Sequence, residues 1–250
     1  MVITSKQNAT IQQIVALQSK KGRKEYQQYF IEGKKQVQEA IKFSMPIEKL
    51  VISENFHEKA DLIQRIKQYN DAKIIEVTDS LFERISMNKT PQGLLAVLKM
   101  PDTKVQKPQN KAILLDGVSD CGNLGTILRS ANAFGIHDIY LKNCADPFSP
   151  KTVQASMSGI FFVRLHIGNF TEIVESLKGI PWITADLHGK NLYDYSFPKE
   201  CCLVLGNEGN GISQEVKDYC SESVTIPMQE QAESLNVAVA ASILMYSMQK

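Results

Sequence analysis

The stretch 112-AILLDGVSDCGNLGTILRSANAFGI-136 indicates the fold. Its first seven residues are nearly all apolar, which is typical of a strand buried on both faces of a parallel sheet. Apolar residues then recur at helical spacing, at Leu124, Ile127, Leu128, Ala131 and Phe134. One face of the helix is therefore predicted to be buried. Arg129 stands out because a permanent charge has no packing role beside such a face.

The same alternation of strand and helix continues along the chain. Beyond residue 110, strands are predicted at 112–118, 138–142, 160–165, 182–186, 202–206 and 223–227, and a long helix at 232–248. Before residue 100, strands are predicted at 28–33, 49–53, 73–78 and 93–99, and helices at 34–44, 56–69 and 79–86. Residues 101–110 are polar, contain two prolines and lack periodicity, which favours a linker. The predicted organisation is a small α/β domain at 1–100, a linker at 101–110 and a parallel-sheet α/β domain at 111–250.

Charge content narrows the class of protein. The net charge is only +1, so the overall basic excess of many nucleic-acid-binding proteins is absent. Basic residues nevertheless gather near the start, with the cluster Lys20, Lys21, Arg23 and Lys24. This cluster is either a contact for a polyanion or an ordinary solvated surface.

The cellular location is predicted from what the sequence lacks. The five cysteines form no C-x-x-C pair, which argues for reduced thiols and against a cysteine-based zinc site. No signal-peptide pattern begins the sequence, and no apolar run approaches the roughly 20 residues needed to span a bilayer. A cytoplasmic protein without a resident metal or membrane contact is expected.

Three loops that follow predicted strands contain polar residues of uncertain purpose. In the first, Asn123 could simply cap a helix, and no G-x-G-x-x-G dinucleotide pattern is present. The second, 205-LGNEGNGIS-213, is rich in glycine but lacks the Lys-Ser/Thr of a phosphate loop, and Glu208 would repel phosphate. A plain turn before a helix that starts near Ser213 is the alternative. In the third, 225-TIPMQEQAESLNVAVAASIL-244, Ser234 could be the helix cap, which would leave Asn236 inside the helix with a hydrogen-bonding task.

Taken in order, these loops resemble the three signature motifs of the SpoU (TrmH) branch of the SPOUT methyltransferases. The matching segments are GNLGTILRSANAFG, LVLGNEGNGIS, and TIPM followed by ESLNVAVAA; 150-PKTVQASMSGIFFVRL-165 also resembles the family. The segments 29-YFIEGKKQVQEAI-41 and 91-PQGLLAVL-98 resemble an accessory substrate-binding domain similar to a ribosomal-protein RNA-binding fold. One departure is Glu230, where family members commonly have glycine.

The resemblance implies a Rossmann-like parallel sheet with a C-terminal deep trefoil knot. It implies methyl transfer from S-adenosyl-L-methionine (AdoMet) to a ribose 2′-hydroxyl of structured RNA. Catalytic roles are implied for Arg129, with Asn123 beside it, and for Glu208, Ser234 and Asn236. Cofactor contacts are implied for Leu205, Gly206, Asn207, Gly209, Ile226, Met228, Leu235 and Asn236.

The resemblance also implies a homodimer, in which the stripe Val237, Ala240, Ala241 and Leu244 would be buried against a partner copy. Large-subunit ribosomal RNA is favoured over tRNA as the substrate because of the accessory domain, and the cations Lys20, Lys21, Arg23 and Lys24 are candidates for contact with its phosphates. The alternatives are a tRNA ribose 2′-O-methyltransferase and an RNA-binding relative without catalysis. A nucleotide-dependent dehydrogenase or kinase is disfavoured, since both phosphate-loop motifs are missing.

Overall fold

A computed structural model describes residues 2–69 and 72–249. The chain divides into two units. One is formed by the chain up to Pro101 together with Phe148–Phe161, and the other by Asp102–Pro147 together with the chain from Phe162. Among the described residues, no helix is long and apolar enough to cross a membrane.

The first unit contains a four-stranded sheet. Its strands are β1 (Gln28–Glu32), β2 (Ile47–Ser53), β3 (Lys73–Val77) and β4 (Leu94–Lys99), in the order β1-β4-β2-β3. Its helices are α1 (Ala9–Ala16), α2 (Lys20–Tyr26), α3 (Lys34–Lys42), α4 (Lys59–Tyr69), α5 (Asp79–Ile85) and α7 (Pro150–Ser156). Strand β4 runs antiparallel to β1 and β2, while β2 and β3 are parallel. Apolar side chains of α1 and α5 bury one face of this sheet.

The second unit contains a six-stranded sheet in which every pairing is parallel. Its strands are β5 (Ala112–Asp116), β6 (Asp138–Lys142), β7 (Arg164–Ile167), β8 (Trp182–Asn191), β9 (Cys202–Gly206) and β10 (Cys220–Thr225), in the order β10-β8-β9-β5-β6-β7. Its helices are α6 (Cys121–Ala133), α8 (Phe170–Ser176), α9 (Gln214–Lys217) and α10 (Val237–Ser247). Every residue of β5 and β6 is buried, as their apolar runs predict. The predicted parallel-sheet α/β fold is therefore confirmed.

The strand predicted at 160–165 is wrong over its first four residues. Gly159–Phe161 forms a 3₁₀ turn, and β7 begins only at Arg164. The cause lies just upstream, where Met157 and Ser158 both have positive φ angles, of 45° and 71°. Two successive left-handed residues turn the chain sharply, so Ile160 is buried from a turn and not from a strand, and the next three apolar residues are half-buried.

Residues 102–110 have no regular secondary structure, yet hydrogen bonds hold them to the second unit. The Tyr140 hydroxyl donates to the Gln106 carbonyl at 2.6 Å, and the Gln109 amide donates to Asp138 at 3.0 Å. Asp138 also accepts from both Arg164 and His166. Burial alone would raise the pKa of Asp138. The hydrogen bonds from His166, Arg164 and Gln109, together with the arginine charge, outweigh this effect and lower the pKa, so the carboxylate stays ionised.

Candidate active site

The pairing of β5 with β9 brings the first two motif loops together. Asp116 and Gly206, the last residues of the two strands, are partners in the register. The loops that leave these strands therefore start side by side, at the edge of a parallel sheet where ligands usually bind. A direct link follows, since the Asn207 side-chain amide donates to the Gly117 carbonyl at 2.8 Å.

The glycine-rich second loop is a turn fixed by its own hydrogen bonds. The backbones of Asn207 and Gly211 exchange two hydrogen bonds of 2.9 Å, and Asn207 Oδ1 accepts from the amides of Gly209 and Asn210. At Gly206, an added Cβ would lie only 2.3 Å from the backbone of Gly211, so no side chain fits there. The loop thus presents Glu208 at its tip, exposed to solvent.

A buried ion pair anchors the far end of this loop. Lys142 Nζ lies 2.9 Å from Asp116 Oδ1, and Asp116 Oδ2 accepts from the Ser213 amide at 2.8 Å. Burial alone would raise the pKa of Asp116, but the hydrogen bonds from Ser213 and Lys142 and the lysine charge together lower it. Asp116 is therefore an ionised group that ties β5, β6 and the second loop together.

The third motif contributes Asn236, which is the N-cap of α10. Its Oδ1 accepts from the backbone amides of Ala238 (2.9 Å) and Val239 (3.3 Å). The helix predicted at 232–248 therefore begins five residues later, at Val237, and the cap suggested at Ser234 is wrong. The suggested cap at Asn123 is also wrong, because Asp120 caps α6.

Asn236, Asn123 and Glu208 form a hydrogen-bonded chain. Asn236 Nδ2 donates to Asn123 Oδ1 at 3.0 Å, and Asn123 Nδ2 donates to Glu208 Oε1 at 2.8 Å. The direction of this chain is set at the α10 end. Since Asn236 must accept from the backbone with its oxygen, its nitrogen faces Asn123, whose own nitrogen must then face the carboxylate. Each amide nitrogen keeps a second N–H for another partner.

Arg129 does not join this chain. It lies six residues after Asn123 on α6, which places it about 9 Å along the helix and about 120° around it. Its side chain is exposed and makes no hydrogen bond or ion pair with any residue of 2–69 or 72–249. The resemblance implies a site in which Asn123 stands beside Arg129, whereas the helix of a single chain separates the two.

Two adjoining cavities open beside the hydrogen-bonded chain, and both are lined by Ala185, Asp186, Leu187, Ser234, Leu235 and Ala240. The larger, of about 500 Å³, also has Leu205, Gly206, Asn207, Glu208 and Asn236 on its wall. The smaller, of about 160 Å³, adds Ile226 and Met228. Of the residues expected at a cofactor, Gly209 lines neither cavity. The sequence did not indicate Ala185, Asp186 and Leu187 of β8 as site residues, because they lie in a strand that contains no recognisable motif.

The predicted RNA-contacting cluster is only partly exposed. Lys20, Lys21 and Lys24 lie on the surface of α2, whereas Arg23 is 3 % exposed. The Arg23 guanidinium donates to the carbonyls of Leu17 (2.8 Å) and Gln18 (3.0 Å) just past the end of α1. A cation at a helix C-terminus is favourable. Including Arg23 among the RNA contacts was therefore wrong, since it stabilises the turn between α1 and α2.

A parallel sheet whose neighbouring loops enclose a cleft is typical of α/β proteins that bind a ligand at their strand ends. Comparison with known families specifies this class. Residues 110–246 match the SpoU rRNA Methylase family, and residues 8–96 match the MRM3-like substrate binding domain. The chain belongs to the SpoU rRNA methylase family, and the expected C-terminal knot follows from that membership.

Individual relatives span nearly the whole chain. The chain is 31% identical to the 23S rRNA (guanosine(2553)-2′-O)-methyltransferase RlmP of Bacillus subtilis, over 98% of this chain and 97% of that protein. The AdoMet-bound rRNA methyltransferase structure from Sinorhizobium meliloti has a TM-score of 0.88 at 27% identity, covering 100% and 97% of the two chains. The SpoU methyltransferase AviRb from Streptomyces viridochromogenes, in complex with AdoMet, has a TM-score of 0.87 at 25% identity, with 97% of each chain covered.

Proposed function

We propose that this protein transfers a methyl group from AdoMet to a ribose 2′-hydroxyl of large-subunit ribosomal RNA. The observation that carries the proposal is the hydrogen-bonded chain of Asn236, Asn123 and Glu208 at the rim of a cleft. Three separate motifs supply it, and it offers directed N–H donors beside a space of ligand size. The choice of ribosomal RNA is supported by the activity named for the Bacillus subtilis relative.

The two adjoining cavities fit AdoMet in size and chemistry. Their volumes, about 500 and 160 Å³, together fall in the range of about 300–1,000 Å³ typical of small-molecule sites. Leu205, Ile226, Met228 and Leu235 would pack against an adenine ring, while the Asp186 carboxylate would accept from a ribose hydroxyl or an ammonium group. When bound, AdoMet supplies a methyl group activated by a positively charged sulfur.

The residues of the chain act on the RNA hydroxyl. A 2′-hydroxyl is a weak nucleophile and must lose its proton as the new bond forms. The second N–H of Asn236 and that of Asn123 would donate to the oxygen as its negative charge grows. Glu208 would hold Asn123 in the orientation that this requires. Ser234, exposed on the cavity wall, would hold the ribose.

Arg129 would bind the phosphate next to the target ribose and stabilise the developing charge, while phosphate or water takes the proton. A guanidinium stays protonated in nearly all protein settings, so it is not itself the base. Its separation from Asn123 suggests that Arg129 serves a site completed by a second copy of the chain.

Helix α10 has an exposed apolar surface at which a homodimer could form, but it differs from the predicted stripe. Ala241 and Leu244 are already fully buried within the chain, and Ala240 lines the cleft. The exposed stripe of α10 consists instead of Val239, Ile243 and Tyr246, which are 48%, 36% and 63% exposed. These apolar side chains are the surface that a second copy would cover.

The test is transfer of labelled methyl from AdoMet to ribosomal RNA isolated from cells that lack the gene. A single 2′-O-methylated nucleotide in the large-subunit RNA is the expected product. Methylation of tRNA alone would overturn the choice of substrate. Binding of AdoMet without transfer to ribosomal RNA or tRNA would contradict the proposed catalysis.

A further inference from the structure

The first unit contains a cavity of about 430 Å³ between the loop after β2, the start of α5 and the loop before β4. We propose that this cavity binds one unpaired nucleobase of the RNA substrate. The inference rests on the proposed function, because it takes RNA as the substrate. It deepens that proposal by naming where the first unit would read the RNA.

The apolar part of the cavity suits the face of a planar ring. Phe82 is 1% exposed and Phe56 is half-buried, and both side chains line the cavity. Gly93 lies against Phe56 with φ of +71°, and an added Cβ would approach Ser53 Cβ to 3.1 Å. A glycine here keeps the wall next to Phe56 clear of side chains. Aromatic side chains are the usual stacking partners of unpaired bases.

The polar part of the cavity suits the edge of a base and not a phosphate. Three carboxylates line it, those of Glu58, Asp79 and Glu83, and they would repel an anion. Asp79 accepts from Ser53 Oγ and Asn55 Nδ2, and these hydrogen bonds lower its pKa and keep it charged. Carboxylates instead accept hydrogen bonds from the amino and imino groups of bases.

Two groups of the wall have unused hydrogen-bonding capacity. Across residues 2–69 and 72–249, the Glu83 side chain makes no hydrogen bond or ion pair. Gln92 uses its Oε1 to accept from the Lys34 amide at 2.8 Å, which leaves its Nε2 as a donor in the described part of the chain. An acceptor and a donor on one wall can pair with a base edge, which presents both kinds of group.

Lys34 lies beside the cavity wall, since it contacts the wall residues Glu58 and Gln92, and the sugar–phosphate backbone of a bound nucleotide would emerge there. Lys34 Nζ is 2.5 Å from Glu58 Oε1, and both side chains are about half exposed, at 44% and 51%. A surface pair of this kind contributes little stability, so Lys34 can exchange Glu58 for a phosphate at small cost. The arrangement therefore separates a neutral planar group inside from an anionic group outside.

The test uses the full-length protein and labelled RNA pentanucleotides in which only the central ribose carries a base. Fluorescence anisotropy compares the affinities of five probes, whose central position carries guanine, adenine, cytosine, uracil or no base. We expect the wild type to bind at least one base-bearing probe about tenfold more tightly than the base-free probe. Glu83→Ala and Phe56→Leu should each remove most of that preference. Glu175→Ala, which removes a carboxylate that is 75% exposed on α8, is the matched control and should keep it.

Thermal unfolding of each variant shows whether the fold is intact. Equal affinity of the wild type for base-bearing and base-free probes would overturn the inference. A preference that survives in both Glu83→Ala and Phe56→Leu would also overturn it, since the base would be read elsewhere. If spermine displaces the labelled probes and the wild type prefers no base, the cavity is a cation site instead. If the wild type methylates no RNA but shows the preference, the proposed catalysis fails while the base cavity stands.

Discussion

Asn236 has two functions that a pair of substitutions can separate. Its oxygen caps α10 through the amides of Ala238 and Val239, and its nitrogen donates to Asn123. Asn236→Ala removes both functions. Asn236→Asp keeps an acceptor for the two amides, because a carboxylate is as good a cap as an asparagine, but it has no N–H to donate.

The expected changes in stability follow from the cap alone. Loss of an N-cap costs about 1 kcal/mol of the free energy of unfolding, which lowers the melting temperature by about 2–4 °C in a chain of this size. Asn236→Ala should show this loss in full, and Asn236→Asp should be less destabilised than Asn236→Ala, because its carboxylate still caps α10 although it no longer donates to Asn123. Asn169→Ala is the matched control, because Asn169 caps α8 through the Glu172 amide and belongs to no motif.

The expected changes in rate follow from the missing N–H donor. Removing one donor to a developing oxyanion slows the chemical step by about 10²–10³-fold. Both Asn236 variants should therefore lose methyl transfer by this factor, while Asn169→Ala keeps the wild-type rate despite an equal loss of stability. Single-turnover transfer from labelled AdoMet to ribosomal RNA measures the rate, and urea unfolding measures the stability. A wild-type rate in Asn236→Asp would refute the role given to the amide N–H. Equal destabilisation of the Ala and Asp variants would refute the reasoning about the cap.

Further predictions concern charged residues. The lowered pKa of Asp116 means that its stabilising effect is present above the unfolded-state pKa of about 3.9 and disappears as the pH falls through its folded-state value. Asp116→Asn should thus be less stable than the wild type at pH 7 in urea unfolding, and the gap should narrow as the pH falls below about 4; a gap independent of pH would contradict this. Arg23→Ala should lower the free energy of unfolding by about 2–3 kcal/mol, since it removes two hydrogen bonds from a charged group. Neutralising Lys20, Lys21 and Lys24 together should leave stability unchanged. It should reduce the slope of log affinity for RNA against log salt concentration by about one unit for each phosphate that the variant no longer neutralises. An unchanged slope would exclude the cluster from the interface. Arg129→Lys keeps the charge but not the planar fork, so methyl transfer should slow while AdoMet binding, measured by calorimetry, stays the same.

The sequence was informative where burial is uniform. The apolar runs at 112–118, 138–142 and 202–206 predict strands, and the structure has strands within each of them. Such runs are reliable when both faces of a sheet are covered, because most residues must then be apolar; the buried charges Asp116, Asp138 and Lys142 stand at the strand ends. The run at 160–165 misled because a short apolar run looks the same in a strand and in a buried turn. Only the positive φ angles of Met157 and Ser158 distinguish them, and neither residue type signals such a conformation.

Features that depend on distant parts of the chain could not be predicted from sequence pattern. Ser234 and Asn236 are both good helix caps, and local chemistry does not choose between them. Only the structure shows that Asn236 is the cap, because its Oδ1 accepts from the amides of Ala238 and Val239, while its nitrogen reaches Asn123, 113 residues earlier. Arg23 fits a charge cluster in the sequence, but folding turns its guanidinium inward to the carbonyls at the end of α1. Gly22, the residue before Arg23, is the local sequence feature that fits this turn, since an added Cβ there would overlap the Ala16 carbonyl.

The hydrogen-bonded chain has a consequence for the order of events during synthesis. Its members stand at positions 123, 208 and 236, and β9 must insert between β8 and β5 before Glu208 can approach Asn123. Contacts that span so much sequence form late, because the loops that separate them must close first. A nascent chain still lacking α10 can form much of the second sheet but not the complete site. Under the proposed function, catalytic competence is thus tied to translation of the last motif, because the site lacks Asn236 until α10 has been made.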